Sequence, residues 1–150
     1  MTAKEPMRPF FEIGAKRPKW TPRAFAVMAT AKELASRSGR HILASDLLLA
    51  LECGDHEVSR VFRQLGLSPS AAFGHAAPEK WSLKTELSWE DFDRTLHDLP
   101  QFVFEEAAAM NDSHLGIEHL LLSLARVGVA GIDLPHDRIK QTWLESMGRS

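Results

Sequence analysis

Apolar residues recur every three or four positions along most of this sequence, and that period is typical of amphipathic α-helices. The clearest stripe follows Thr21 and Pro22, a pair that favours a helix start because threonine can cap the first turn and proline needs no hydrogen-bond acceptor there. Gly39 is expected to end this helix in a left-handed conformation. No segment shows sustained alternation of apolar and polar residues, so the pattern predicts an all-α fold. The stripe consists of Val27, Met28, Ala31, Leu34 and Ala35.

The same reasoning places further helices along the chain. Ser45 is predicted to cap the second helix, which ends at Gly54. Ser88 and Asp91 are predicted to form a capping pair at the start of the second half. Pro100 is expected to break the helix there, because an internal proline removes a backbone hydrogen bond and clashes with the preceding turn. The remaining helices are expected at about 55–65, 69–73, 89–99, 101–110, 117–127 and from 135 onward.

Two passages of the chain match each other, which indicates an internal repeat. Residues 40–51 read RHILASDLLLAL and residues 113–124 read SHLGIEHLLLSL. Both contain a histidine, five intervening residues, three leucines, one further residue and a fourth leucine, and each follows an alanine-rich helix and a short polar turn. The predicted organisation is an arm at 1–19 and one domain at 20–150, with repeat one at 20–74, a connection at 75–87 and repeat two at 88–147.

On these residues the sequence resembles the N-terminal repeat domain of Clp ATPases, the double Clp-N family. That family's repeat starts with a Thr-Pro-Arg-Ala-like helix and proceeds to Gly-Thr-Glu-His-Leu-Leu-Leu. Residues 21–24 match the helix start in the first half, and residues 116–122, GIEHLLL, match the second signature in the second half. The resemblance covers about residues 20–147. It implies two four-helix repeats with pseudo-two-fold symmetry, and a role in recruiting substrates or adaptors to an unfolding machine.

The chain departs from the family pattern in ways that bear on function. It contains no Gly-x-x-x-x-Gly-Lys-Ser/Thr phosphate loop, so it is expected to be a free-standing relative that binds a Clp ATPase or protease, an adaptor or a substrate segment. The connection at 128–135 is short, which predicts that the second repeat has lost a helix and is abbreviated.

The resemblance also indicates candidate binding residues. In some family members the signature glutamate binds phosphorylated arginine. Glu118 and His119 occupy the signature in repeat two, whereas Ser45 and Asp46 occupy it in repeat one. The resemblance therefore implies one phosphoarginine site at most. The alternative for Glu118 is a structural carboxylate that interacts with the helix dipole. Trp81, in a polar segment, is predicted to be an exposed anchor for a partner.

Composition and charge mainly exclude classes of function. With 18 basic and 20 acidic residues, the formal net charge is −2, which gives no reason to expect nucleic acid or an anionic membrane as a partner. Nucleic-acid binding through the basic residues of 4–19 is the weaker alternative. The N-terminus lacks the apolar stretch of a signal peptide, and no apolar run approaches the roughly 20 residues of a membrane span. The single cysteine suits a reducing compartment, so a cytoplasmic protein is expected.

The titratable residues give no pattern that is typical of an enzyme. His114 and His119 are the closest histidine pair, but their spacing differs from the i, i+4 arrangement of two ligands on one helix face, so no metal and no cofactor are predicted. Cys53 has no base beside it in the sequence and is expected to be a buried, unreactive thiol. The sequence therefore predicts a non-catalytic protein-binding module. The alternative is a regulatory or oligomerisation module outside proteolysis, and the oligomeric state stays open.

Overall fold

The computed structural model describes residues 19–83 and 86–148, and the structure within these ranges is predominantly helical. Of the predicted arm, residues 1–18 lie outside the described residues, and Lys19 belongs to a strand. The strands are β1 (Lys19–Trp20) and β2 (His114–Leu115). The α-helices are α1 (Pro22–Arg37), α2 (Ala44–Glu52), α3 (Glu57–Leu65), α4 (Pro69–Phe73), α5 (Leu99–Ala109), α6 (Ile117–Val127) and α7 (His136–Ser146), and 3₁₀ turns lie at Trp89–Asp91 and Arg94–Leu96. The predicted all-α class is confirmed.

Helix α1 starts and ends as its sequence predicts. The Thr21 hydroxyl accepts a hydrogen bond from the Ala24 amide at 3.1 Å. Trp20 packs against Phe25, with ring centroids 6.5 Å apart. Trp20 precedes the cap residue and Phe25 is the fourth residue of the helix, and a hydrophobic contact between these two positions fixes the direction in which the chain enters the helix. Gly39 follows the helix with φ +65°, a conformation that glycine adopts without steric cost.

The predicted cap of α2 is wrong by two residues. Leu43 is the cap residue, and its amide donates to the Asp46 carboxylate at 2.8 Å. Ser45 therefore lies inside the first turn. The carboxylate reaches the free amide of Leu43 from the third helical position, so a serine cap is not needed. Helix α3 likewise starts later than expected, after His56, whose Nδ1 accepts from the Ser59 amide at 3.2 Å.

The predicted helix at 89–99 is also wrong. The Ser88 amide does donate to the Asp91 carboxylate, at 2.8 Å, so the predicted capping pair is confirmed, but it starts only a 3₁₀ turn. Phe92 then becomes extended, with φ −90° and ψ 143°. Pro100 does not break a helix, because it lies in the first turn of α5, where its missing amide proton has no intrahelical acceptor.

Each repeat pairs its backbone with the segment that precedes the first helix of the other repeat. Strand β1 runs parallel to β2 with Trp20 opposite Leu115, and the Thr21 amide donates to the Leu115 carbonyl at 2.9 Å. In the equivalent place, the Ile42 amide donates to the Asp91 carbonyl at 2.8 Å, and the Asp93 amide donates to the Ile42 carbonyl at 2.9 Å. This reciprocal pairing relates the two halves by the expected pseudo-two-fold symmetry.

The core lies between the signature helices α2 and α6 and the helices around them. Helix α1 packs on α2, α5 packs on α6, and α7 packs against both α3 and α6. The first repeat has four α-helices and the second has three within the described residues, so the predicted abbreviation is confirmed. Because α7 follows α6 as α3 follows α2, the helix without a counterpart there is α4, and the predicted loss of a helix at 128–135 is wrong. None of the helices in the described ranges is long and apolar enough to cross a membrane. The leucines that fill the centre include Leu47, Leu48, Leu51, Leu120, Leu121 and Leu124.

Substitution of Leu115 by alanine tests whether the pairing between the repeats is anchored in the core. Leu115 is fully buried on β2, so Leu115→Ala is expected to lower the free energy of unfolding by about 2–5 kcal/mol through lost apolar burial and the cavity left behind. Leu83 is 84% exposed, and Leu83→Ala is the matched control with an expected change within about 0.5 kcal/mol. Chemical denaturation measures both. Equal losses from the two variants would contradict the assigned burial.

Candidate functional site

The start of α6 is organised around a buried histidine. Gly116 is the cap residue, and its amide donates to Nδ1 of His119 at 2.9 Å. Because Nδ1 accepts this hydrogen bond, the proton of the neutral ring is on Nε2, which donates to the Asp112 carboxylate at 2.8 Å. His119 is fully buried, and both of its ring nitrogens are engaged in holding this turn. We call residues 112–119 the second junction.

Glu118 and His114 form the accessible part of the second junction. The Glu118 side chain lies against Gly116, so close that a Cβ at Gly116 would overlap the carboxylate. Glu118 Oε2 is 3.1 Å from His114 Nε2, and the His114 side chain is 44% exposed whereas that of Glu118 is 11% exposed. Asp112, His114, Glu118 and His119 each place one ligand atom within 4.8 Å of the others.

The rings of His114 and His119 lie 5.1 Å from each other, although the two residues do not have the i, i+4 spacing. That spacing is required only of two ligands on one helix face. His114 is instead on β2, before the start of α6, where it pairs with Lys19 of β1. Asp112 is the residue that sequence reasoning missed. Its position directly before the repeated passage gave no signal, since the contact depends on the turn between α5 and β2.

The electrostatics of the second junction are dominated by its two carboxylates. Burial lowers the pKa of His119, although the nearby Glu118 and Asp112 carboxylates act in the opposite direction. The ring is therefore neutral near pH 7. The result is a small acidic cluster that reaches solvent beside His114.

Residues 40–46, the first junction, occupy the same place in the first repeat with different chemistry. Asp46 takes the capping role that His119 takes in the second repeat, and it is 2% exposed. The Arg40 guanidinium pairs with this carboxylate, with Nη2 of Arg40 3.0 Å from Oδ1. Hydrogen bonding to Asp46 raises the pKa of Arg40 further. Ser45 is half-buried at the position equivalent to Glu118. The first junction thus presents a guanidinium where the second presents carboxylates.

Trp81 is not exposed as the sequence predicted. Its ring is half-buried and lies 5.0 Å from the His56 ring, and its indole N–H donates to the Ala50 carbonyl at 2.7 Å. The Arg23 guanidinium lies over the Trp81 ring, 5.8 Å from its centroid. These contacts attach the connection between the repeats to the first repeat. The role of Trp81 as an anchor for a partner stays a prediction.

Cys53 is buried, as its sequence context predicts. Burial raises the pKa of the thiol, because the charged thiolate is disfavoured away from water. This environment disfavours the thiolate that nucleophilic chemistry requires.

Comparison with solved protein structures gives 32 matching chains. The chain is similar to the N-terminal domain of the caseinolytic protease associated chaperone ClpD from Arabidopsis thaliana, with 16% identical residues, a TM-score of 0.47, and coverage of 87% of this chain and 86% of that chain. No protein-family model matches the sequence, and no curated protein matches it. Membership of the Clp-N family stays a prediction that rests on the sequence motifs.

The capping assignment at the first junction can be tested with two single substitutions. Asp46→Asn removes the ion pair with Arg40 and weakens the bond to the Leu43 amide, so it is expected to lower the free energy of unfolding by about 1–3 kcal/mol. Ser45→Ala changes a residue inside the first turn and is expected to cost less than about 0.5 kcal/mol. Urea denaturation measures both. A larger loss for Ser45→Ala than for Asp46→Asn would show that serine is the cap after all.

The buried, neutral His119 predicts a pH dependence of stability. Its pKa is lowered in the folded chain, so as the pH falls below about 6.5 the unfolded chain gains a proton that the folded chain does not. The contribution of the neutral His119 ring to the free energy of unfolding is therefore expected to be complete above about pH 6.5. It is expected to decrease as the pH drops below that value. The pKa of His56 is lowered by burial as well, so this ring adds to the same trend.

Denaturation series between about pH 8 and pH 5 measure this dependence, and ring NMR signals report the His119 titration. His119→Gln removes the titrating ring and is expected to flatten the profile while lowering stability at every pH. A His119 midpoint above about 6.5, or an unchanged slope in His119→Gln, would contradict the assignment.

Proposed function

We propose that this chain is a non-catalytic protein-binding module of the Clp N-terminal type, which recruits or regulates substrates or adaptors of a Clp chaperone–protease. The observation that carries the proposal is the second junction, where Asp112 and Glu118 place carboxylates close together beside the half-exposed His114. The two signature motifs in the sequence support the same function.

The chemistry of the second junction favours a basic segment of a partner. A guanidinium group offers several N–H donors in a fixed plane, and carboxylates are its strongest acceptors. The first junction already contains such a pair within the chain, between Arg40 and Asp46. An arginine side chain from a partner would find an analogous acceptor at Glu118. The proposal therefore places one site in repeat two, and a phosphorylated arginine is one form that its ligand takes.

A regulatory or oligomerisation module is the second candidate function. The observation that favours it is the asymmetry between the repeats. In the first junction Asp46 is buried and paired with Arg40, and in the second repeat the short connection leaves Val129 and Ile132 half-exposed. These two side chains pack against the core, and the parts of them that remain exposed would suit contact with another folded chain better than capture of an extended basic segment.

Calorimetric titration distinguishes these functions. Unfolded model peptides that contain phosphoarginine, arginine or lysine at one position are titrated into the wild type in the presence of a metal chelator. We expect arginine-containing peptides to bind, and Glu118→Gln to weaken that binding by roughly 10- to 100-fold, because a hydrogen bond to a charged group contributes about 1.5–3 kcal/mol. Ser45→Ala, at the equivalent position of repeat one, is the matched control and should bind as the wild type does.

The ratio between the phosphoarginine and arginine peptides shows which form of the side chain is preferred. Equal binding by the wild type and Glu118→Gln would contradict a role for this carboxylate. Absence of peptide binding, together with a molecular mass in solution that rises with protein concentration, would favour the second candidate.

A further inference from the structure

We infer that the second junction binds a divalent transition-metal ion such as Zn²⁺, with Asp112, His114 and Glu118 as ligands and His119 as the residue that positions Asp112. This site shares the Asp112 and Glu118 carboxylates with the proposed peptide site, but it requires only side chains of this chain and is tested in the absence of peptide. It also differs from the sequence expectation that no metal is bound.

The donor set and its spacing carry this inference. An imidazole nitrogen and two carboxylate oxygens are donors that Zn²⁺ prefers, at about 2.0–2.2 Å from the ion. Two such ligand atoms on one tetrahedral ion are about 3.3 Å apart. His114 Nε2 and Glu118 Oε2 are already 3.1 Å apart, and all ligand atoms of the cluster lie within 4.8 Å of one another. Closure onto an ion thus requires the more distant ligand atoms to approach to about 3.3 Å of one another.

His119 acts in the second layer around the ion. Its Nδ1 accepts a hydrogen bond from the Gly116 amide, so the ring proton is on Nε2, which donates a hydrogen bond to the Asp112 carboxylate. Ligation through Nε2 would require removal of that proton, with the loss of the capping bond or formation of an imidazolate. A ring that donates a hydrogen bond to a ligating carboxylate fixes the orientation of that ligand, as outer partners do in many metal sites.

The fold holds the three ligands on separate, fixed pieces of backbone. Asp112 lies in the turn after α5, His114 is on β2 and paired with β1, and Glu118 is in the first turn of α6. Gly116 leaves the space that the Glu118 carboxylate occupies. The half-exposed His114 provides the route by which an ion and a completing water enter.

The charge balance of the cluster also favours a cation. Two carboxylates that are mostly removed from water repel each other more strongly than exposed ones, because the surrounding protein screens them less. A divalent ion bound between the two carboxylates would reduce this repulsion. The imidazole ligand distinguishes a transition metal from Ca²⁺ or Mg²⁺, which prefer a shell made of oxygen atoms.

Zinc titration of the chelator-treated chain, in the absence of peptide, tests the inference. We expect one equivalent of Zn²⁺ to bind and to raise the melting temperature in a concentration-dependent way. His114→Gln is expected to abolish this saturable binding, and it should fold normally because the side chain is 44% exposed. His41→Gln is the matched control, since His41 is exposed at the equivalent position of the first junction, and it should bind like the wild type.

The positioning roles have their own readout. Gly116→Ala is compatible with the backbone, since φ is −108°, but its Cβ would displace the Glu118 carboxylate from His114. We expect this variant to fold and to bind Zn²⁺ about 10- to 100-fold more weakly, the range typical of changes next to metal ligands. Ring NMR signals of His114 should shift with Zn²⁺ in the wild type, while the Nε2 proton of His119 stays in place.

Three results would overturn the inference. The first is Zn²⁺ binding that is equal in the wild type, His114→Gln and His41→Gln. The second is the absence of saturable binding at one equivalent. The third is binding of Ca²⁺ or Mg²⁺ that His114→Gln leaves unchanged. Each result is independent of the peptide titrations, which are performed with a chelator, so failure of the metal site and failure of the proposed function are distinguishable.

Discussion

The reciprocal backbone pairing between the repeats is the constraint on which the rest of the structure depends. The chain in front of each signature helix, at Ile42 and at Leu115, takes its hydrogen bonds from the segment in front of the other repeat's first helix. Buried amides and carbonyls need such partners, because an unpaired one costs as much as a lost hydrogen bond. Each repeat therefore completes the other, and the pairing fixes how α2 and α6 meet in the core.

The same constraint separates two kinds of position at each junction. The third residue of the signature helix must accept the amide of the cap residue, and both Asp46 and His119 do so. Each of these residues is then held from its other side by a second polar side chain, Arg40 in one case and Asp112 in the other. The two junctions share their backbone geometry, but the first presents the Arg40 guanidinium at the surface and the second presents carboxylates. Pseudo-symmetry of the fold thus coexists with asymmetry of the candidate site.

The sequence predicts those parts of the fold whose causes are local. The start of α1 at Thr21, its end at Gly39 and the beginning of α7 after Pro135 depend on residues within one turn of the boundary. Two of the errors at helix starts have a common origin. Ser45 and the segment 89–99 both lie beside Ile42 or Phe92, where pairing with a distant part of the chain determines the backbone. Helical periodicity contains no information about that partner, so it could not predict either boundary.

The candidate site shows the same limit more sharply. Its signature residues, Glu118 and His119, can be recognised in the sequence, but their roles cannot. Only the folded turn shows that His119 accepts the hydrogen bond of the capping residue's amide. Freedom to interact with a ligand then rests with His114 and Glu118, which cap nothing and support no backbone amide. The equivalent positions in the first repeat hold His41 and Ser45. A substitution at these two positions alters the chemistry of a junction without disturbing its capping hydrogen bonds, so one fold can contain a structural repeat and a ligand-binding repeat side by side.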